Sequence, residues 1–282
     1  VMDSEISEEY IESLHKLKHI MKYFGRDFTG HLSILNDKMI ETEKIKLDEI
    51  KNGFFETILI KKGKIVNQKE HELRINNSLD RLFEEKIETY INEIHVHNLV
   101  RLNLSDDDDI KLNIYYWKNK EANKVNILYR IKPISIQRNE NKLFINTNFI
   151  DPPIEVKKFG IKSLNYILYE NSTKLAEAHN CWDTINYDSN GFILEGGKST
   201  LYFYKENKWI TPKNNVINGV IRSKLINKDK VSFEDIKLED LKVVKSIALS
   251  NSIVGVVEIH EIYDYNGIKW KSKTSKPLKF LN

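Results

Sequence analysis

Phe159-Gly160-Ile161-Lys162-Ser163-Leu164-Asn165 lies just past the breaker Asp151-Pro152-Pro153 and leads into a segment that reads as a helix from Ser163 to about His179. Successive prolines remove two backbone donors and fix two φ angles, so no regular element runs through them. A lysine between such a loop and a helix can project its amine into a cleft. Desolvation there lowers its pKa and lets the neutral amine attack an aldehyde. Taken alone, Lys162 is one lysine among many, because nearly all lysines are solvated surface charges.

The rest of the chain bounds what that lysine could serve. Its 282 residues exceed one hydrophobic core, so two domains are expected, 1–150 and 151–282, with the boundary at the proline pair. A cleft between domains is a common place for a small-molecule substrate. The 44 basic and 41 acidic residues leave a net charge of +3, with no Lys/Arg cluster dense enough for a nucleic-acid footprint. Cys181 is the only cysteine, which excludes an intrachain disulfide and a multi-cysteine metal site and fits a reducing compartment. No stretch reaches the roughly 18 consecutive apolar residues of a membrane span. The first residues, Val1-Met2-Asp3-Ser4-Glu5, are acidic where a signal peptide is basic, so a cytoplasmic protein is expected.

Periodicity gives an α+β or mixed α/β architecture. Helices are predicted from Ser7 to about Tyr23 and from Gln68 to about Ile91, the second with Leu73, Leu79, Leu82, Phe83, Ile87 and Tyr90 on its buried side. Strands are predicted at His31–Leu35, Phe54–Ile60, Ile110–Trp117 and Val125–Ile134, with a hairpin turn at Lys61-Lys62-Gly63-Lys64. Beyond the prolines come short strands at 184–187, 192–194, 201–204, 209–211, 243–249 and 254–259, and a helix from Val220 to Ile226.

Several residues carry possible chemistry. Glu195 ends a strand ahead of Gly196-Gly197, and paired glycines let the backbone pass close to a flat ligand whose ring nitrogen a carboxylate could keep protonated. Asn218-Gly219-Val220-Ile221-Arg222 opens a helix whose first amides could cradle a phosphate. Ser250-Asn251-Ser252 ends an apolar strand with three small polar side chains. No metal site is expected: the aspartates 106–109 read as a solvated loop, and His95 and His97, on one face if in a strand, lack a third ligand.

In order, these segments resemble the fold-type IV pyridoxal 5'-phosphate enzymes, the family of branched-chain and D-amino-acid aminotransferases and aminodeoxychorismate lyase. Gly53-Phe54-Phe55-Glu56-Thr57 looks like the family's G-x-F-E-T strand. His71-Glu72-Leu73-Arg74 with Ser78 is similar to H-x-x-R-(x)3-S, Ile161–Asn165 to I-K-[ST]-L-N, and Glu195-Gly196 with Ser199 to E-G-x-x-S. Gly219–Arg222 corresponds to G-I-x-R, and Ser250-Asn251-Ser252 to the last phosphate contact.

The resemblance implies a smaller N-terminal α/β domain, a larger barrel-like C-terminal domain and a homodimer. It makes Lys162 the Schiff-base residue and proton shuttle for pyridoxal 5'-phosphate and pairs Glu195 with the pyridinium nitrogen. Arg74, the amides of Val220 and Ile221, and Ser250 or Asn251 would hold the phosphate. Three departures touch the substrate side: Ile50-Lys51-Asn52-Gly53 replaces Y-G-D-G, Lys198 replaces a small residue, and Thr200 stands where asparagine is common. Within the family, Asn218–Arg222 and Ser250–Ser252 lean toward aminodeoxychorismate lyase, which releases 4-aminobenzoate and pyruvate on the way to folate; a class IV aminotransferase is the alternative.

Overall fold

The computed structural model describes residues 32–47, 50, 52–86, 88–103, 109–119, 124–134, 140–273 and 277–278. The expected N-terminal helix and nearly all of the aspartate run lie outside them. The chain divides into two compact units, Val1–Ser135 and Ile136–Asn282. The division precedes the proline pair because Glu140–Ile145 forms a strand that pairs with strands of the second unit. Pro153 instead caps the start of a helix, where a missing N–H has no intrahelical partner to lose.

The first unit holds β1 (Leu32–Leu35), β2 (Lys38–Glu41), β3 (Gly53–Lys61), β4 (Lys64–Ile65), α1 (Gln68–Phe83), α2 (Glu93–Asn103), β5 (Ile110–Asn119) and β6 (Lys124–Pro133). The strands form one antiparallel sheet in the order β2-β1-β6-β5-β3-β4. The turn between β3 and β4 has Lys62 and Gly63 at positive φ, as the lysine and glycine run predicts. Along β3 the period of two puts Phe54, Glu56, Ile58 and Ile60 on the buried face. Phe54 stacks on Tyr116 of β5 with ring centroids 4.7 Å apart and meets Phe83 of α1.

α1 is shorter than its periodicity suggests. It ends at Phe83, where Glu84 turns into the left-handed region at φ 59°. Its buried face is His71, Ile75, Ser78, Leu79 and Phe83, while Leu73 and Tyr90 are more than half exposed. His95 and His97 sit on α2, not on a strand, so they point in different directions around a helix.

The second unit contains β7 (Glu140–Ile145), α3 (Ile154–Phe159), α4 (Ile167–Ala178), β8 (Cys181–Ile185), β9 (Thr200–Lys205), β10 (Lys208–Thr211), α5 (Val220–Asn227), β11 (Ser232–Phe233), β12 (Ser246–Asn251), β13 (Gly255–Ile259), β14 (Glu261–Asp264) and β15 (Gly267–Lys271). A five-stranded sheet runs β11-β10-β9-β12-β13 and a four-stranded sheet runs β15-β14-β7-β8. Leu143, Ile185 and Ile262 from the smaller sheet and Leu201, Phe203, Ile247 and Leu249 from the larger one share a single apolar cluster. The expected barrel-like body is thus two sheets closed over one core. α4 packs on β8 and α5 on β12. Among the described residues, no helix is long and apolar enough to cross a membrane.

Leu249→Ala, at a fully buried position, should cost about 2–5 kcal/mol. Leu73→Ala, on the exposed side of α1, should change stability by less than about 0.5 kcal/mol. Urea midpoints of the two variants check both, and equal losses would contradict the burial pattern.

Candidate functional site

The second unit gathers the lysine segment and the segment leading into α5 around one buried carboxylate, Glu195. Glu195 is almost fully buried. Backbone pairing of Leu194 and Glu195 with Asn186, just after β8, sets its position. The Ile217 amide donates to both carboxylate oxygens, at 3.1 and 3.2 Å, and the Tyr169 hydroxyl donates to Oε1 at 3.0 Å. Burial pushes the Glu195 pKa up to about 7, against the pull of these donors and of the charges on Arg222 and Lys162. Glu195 and Lys162 therefore feel one another across the site.

Lys162 is half-buried, three residues past the end of α3. α3 closes on Gly160 at φ 65°, a left-handed position that favours glycine. The predicted helix after the lysine starts later than its pattern suggests, at Ile167, so a turn from Ser163 to Tyr166 separates Lys162 from α4. Asn218 latches this loop to the start of α5: its backbone amide donates to Gly160 O at 2.9 Å and its Nδ2 to Phe159 O at 3.1 Å. A side chain at Gly160 would strike Asn218.

Gly219 caps α5, so the amides of Val220 and Ile221 at its first turn have no intrahelical acceptor. A Cβ at Gly219 would fall 2.9 Å from Thr200 Oγ1. Thr200 pairs in register with Ser250 across β9 and β12, and Ser250 Oγ lies 2.7 Å from the Tyr202 hydroxyl. Three hydroxyls and a helix start thus share one end of the larger sheet, a setting suited to an anion. Asn251 contributes differently from the expectation: its Oδ1 accepts the amides of Ile253 and Val254 at 2.9 and 3.1 Å and so is taken up by the turn after β12. Arg222 is buried, donates to Pro212 O at 2.6 Å and to Asn218 Oδ1, and lies over the Phe233 ring.

Arg74 belongs to the first unit. The β3 pattern buries Glu56, and α1 answers it: Arg74 Nε and one terminal nitrogen donate to the two Glu56 oxygens at 2.7 and 2.6 Å, and His71 Nδ1 lies 2.7 Å from Oε2. Burial pushes the Glu56 pKa up, but the Arg74 charge and the His71 contacts outweigh it and hold it at about 2.

Two residues escaped the sequence reading. Asp183 on β8 is fully buried and accepts the amides of Gly197 (2.7 Å), Lys198 (3.0 Å) and Thr184 (2.8 Å) and the hydroxyl of Ser199 (2.5 Å). A Cβ at Gly196 would come 2.3 Å from its Oδ2, and one at Gly197 2.7 Å from Thr173 Oγ1. A carboxylate inside the strand Cys181-Trp182-Asp183-Thr184-Ile185 was the available signal, because a buried charge must find donors. Tyr169 was the other, visible only as an aromatic three residues after Tyr166. Among the described residues, no cluster of three His, Cys, Asp or Glu side chains could hold a metal ion.

A family model described as amino-transferase class IV matches residues 53–262. No curated protein matches the chain. Among solved structures, a branched-chain amino acid aminotransferase from T.th. complexed with N-(5'-phosphopyridoxyl)-L-glutamate is similar over 89% of this chain and 91% of its own, with 18% identity and a TM-score of 0.70. The branched-chain aminotransferase of Thermoproteus uzoniensis with norvaline gives 88%, 91%, 14% and 0.70 in the same terms. A hypothetical aminotransferase from Mycobacterium tuberculosis in PLP-bound form gives 82%, 90%, 15% and 0.65. At these identities the likeness concerns the fold.

The two buried glutamates must make stability depend on pH in opposite senses. Glu56 drops from the usual 4.5 to about 2, so its contribution of about 3 kcal/mol is full above pH 4.5 and lost as pH falls toward 2. Glu195 rises to about 7, so its contribution is full below pH 4.5 and lost as pH rises through 7. In urea unfolding of the cofactor-free protein, Glu56→Gln should remove the acid limb and Glu195→Gln should flatten the slope between pH 4.5 and 7. A slope unchanged in Glu195→Gln would contradict the raised pKa.

Proposed function

The chain belongs to the class IV aminotransferase family, and from that premise we propose that it is a pyridoxal 5'-phosphate enzyme that transfers an amino group between a primary amine and a keto acid. The observation that carries the reading is Glu195, a carboxylate buried beside Tyr169 and the Ile217 amide and within the field of Lys162.

The residues fit the cofactor. A buried carboxylate with a raised pKa and neutral hydrogen-bond donors gains from one cationic N–H, which a protonated pyridine ring offers. At the other end, the side-chain-free approach of Gly219 to Thr200 leaves the first amides of α5 and the hydroxyls of Thr200 and Ser250 to take a dianion. When bound, pyridoxal 5'-phosphate supplies an aldehyde for an amine and a ring that draws off the electron pair left on the amino-bearing carbon.

The protein does the rest. Lys162 Nζ would hold the cofactor through its aldehyde and, once released, would move a proton at the substrate carbon. Glu195 would face the ring nitrogen and favour its protonated form, and Asn218 ties the lysine loop to the start of α5. We assign Arg74 to the phosphate as the family motif implies.

A second reading, 4-amino-4-deoxychorismate lyase, is favoured by the sequence Asn218-Gly219-Val220-Ile221-Arg222 with Ser250-Asn251-Ser252. Asn218, however, has a local task here, joining Phe159, Gly160 and Arg222. Transamination requires an amino acceptor and elimination does not. Borohydride treatment of the holoenzyme should fix the cofactor to Lys162 in a peptide map, and Lys162→Ala should abolish both the adduct and turnover. With a branched-chain amino acid and 2-oxoglutarate, product keto acid is expected. Release of 4-aminobenzoate from aminodeoxychorismate without any keto acid would establish the lyase instead.

A further inference from the structure

Tyr169 lies outside every motif that led to the site. It is on the first turn of α4, 1% exposed, with its hydroxyl 3.0 Å from Glu195 Oε1. Its ring stacks on Tyr166 at 5.0 Å and 16° between planes, and the Tyr166 hydroxyl donates to Gly197 O at 2.6 Å. The stacked pair therefore grips the Glu195–Gly197 segment at both ends, and neither ring can swing away without breaking the other's contact. We propose that Tyr169 is a positioning residue that keeps the Glu195 carboxylate ionised and aimed at the ring nitrogen of the cofactor, an assignment that rests on the role given to Glu195 above.

Glu195 is faced by groups from several elements. Lys162 approaches from the loop after α3 and Arg222 from α5, both acting through their charge. Tyr169 and Tyr166 come from α4 and its N-cap, and the Ile217 amide from the segment before α5. Burial and the Glu195 charge push the Tyr169 phenol far above its ordinary range, so it serves as a fixed donor and does not compete as an acid. A hydrogen bond to the charged form of a carboxylate favours that form. Removing it must raise the pH at which Glu195 ionises and weaken its hold on a ring cation.

The test uses the full chain loaded with pyridoxal 5'-phosphate, following the cofactor's visible absorbance and its dissociation constant from pH 5.5 to 9.5. Tyr169→Phe keeps the ring stack and is expected to weaken cofactor binding about tenfold near neutral pH, the weight of one hydrogen bond to a charged group. The pH midpoint should rise by about one unit, and in Glu195→Gln, which lacks the titrating carboxylate, adding Tyr169→Phe should leave the pH profile unshifted. Incorporation of 3-fluorotyrosine at 169, a stronger donor of the same shape, should lower the midpoint and covers the case in which Tyr169→Phe folds poorly. An unmoved midpoint in Tyr169→Phe, or an equal shift in the Glu195→Gln background, overturns the assignment while leaving the cofactor reading intact. Failure of the wild-type chain to bind pyridoxal 5'-phosphate overturns both.

Discussion

A carboxylate removed from water must be given donors, and the second unit is arranged around that demand at Asp183. It is fully buried, and its oxygens collect the amides of Gly197, Lys198 and Thr184 together with the Ser199 hydroxyl. Meeting it requires the segment after Glu195 to fold back tightly onto β8, with the Gly196 amide bonded to Ser199 O. That path leaves no room for side chains at positions 196 and 197, which is why two glycines stand there. Glu195, one residue upstream, inherits its direction from this turn. The E-G-x-x-S pattern is thus as much a record of Asp183 as of the glutamate it announces.

The buried carboxylates of the two units are handled in contrasting ways. Glu56 receives a bidentate guanidinium and an imidazole, so its charge is neutralised within the first unit and its pKa falls to about 2. Glu195 receives a backbone amide and a phenol, which satisfy its oxygens without cancelling its charge, and its pKa rises to about 7. A buried ion pair is complete in itself. A buried carboxylate with only neutral hydrogen-bond donors is electrostatically unfinished, and a cation arriving from outside the chain gains from it.

Much of this was legible in the sequence because the relevant features are local. Period-two alternation marks β3, β5 and β6, and the lysine, the glycine pair and the helix start mark three segments that the second unit brings together. What was missed depends on partners distant in sequence. Asp183 is explained by residues 14 to 16 positions away, and Tyr169 by Glu195, 26 positions away. The buried side of α1 was misjudged because its apolar count included Leu73 and Tyr90, whereas the helix is anchored by polar His71 answering Glu56. The proline pair read as a boundary because it breaks regular structure, yet it opens α3 inside a unit that β7 had already begun.

Arg74 and the start of α5 differ in how ready each is to accept an anion. Two N–H edges of the Arg74 guanidinium go to Glu56, so the pair presents little net charge, and its attraction for a dianion is correspondingly reduced. In the second unit the first amides of α5 stand unopposed, at the end of a helix whose dipole favours negative charge, with Thr200 and Ser250 beside them. Amides fixed by Gly219 and by the Asn218 latch need no reorganisation to accept an anion, whereas a paired arginine must give up part of an existing bond to do so. The start of α5 with its neighbouring hydroxyls is thus the better prepared anion acceptor, and Arg74 is engaged with Glu56, as the tie that lets β3 keep a carboxylate in its core.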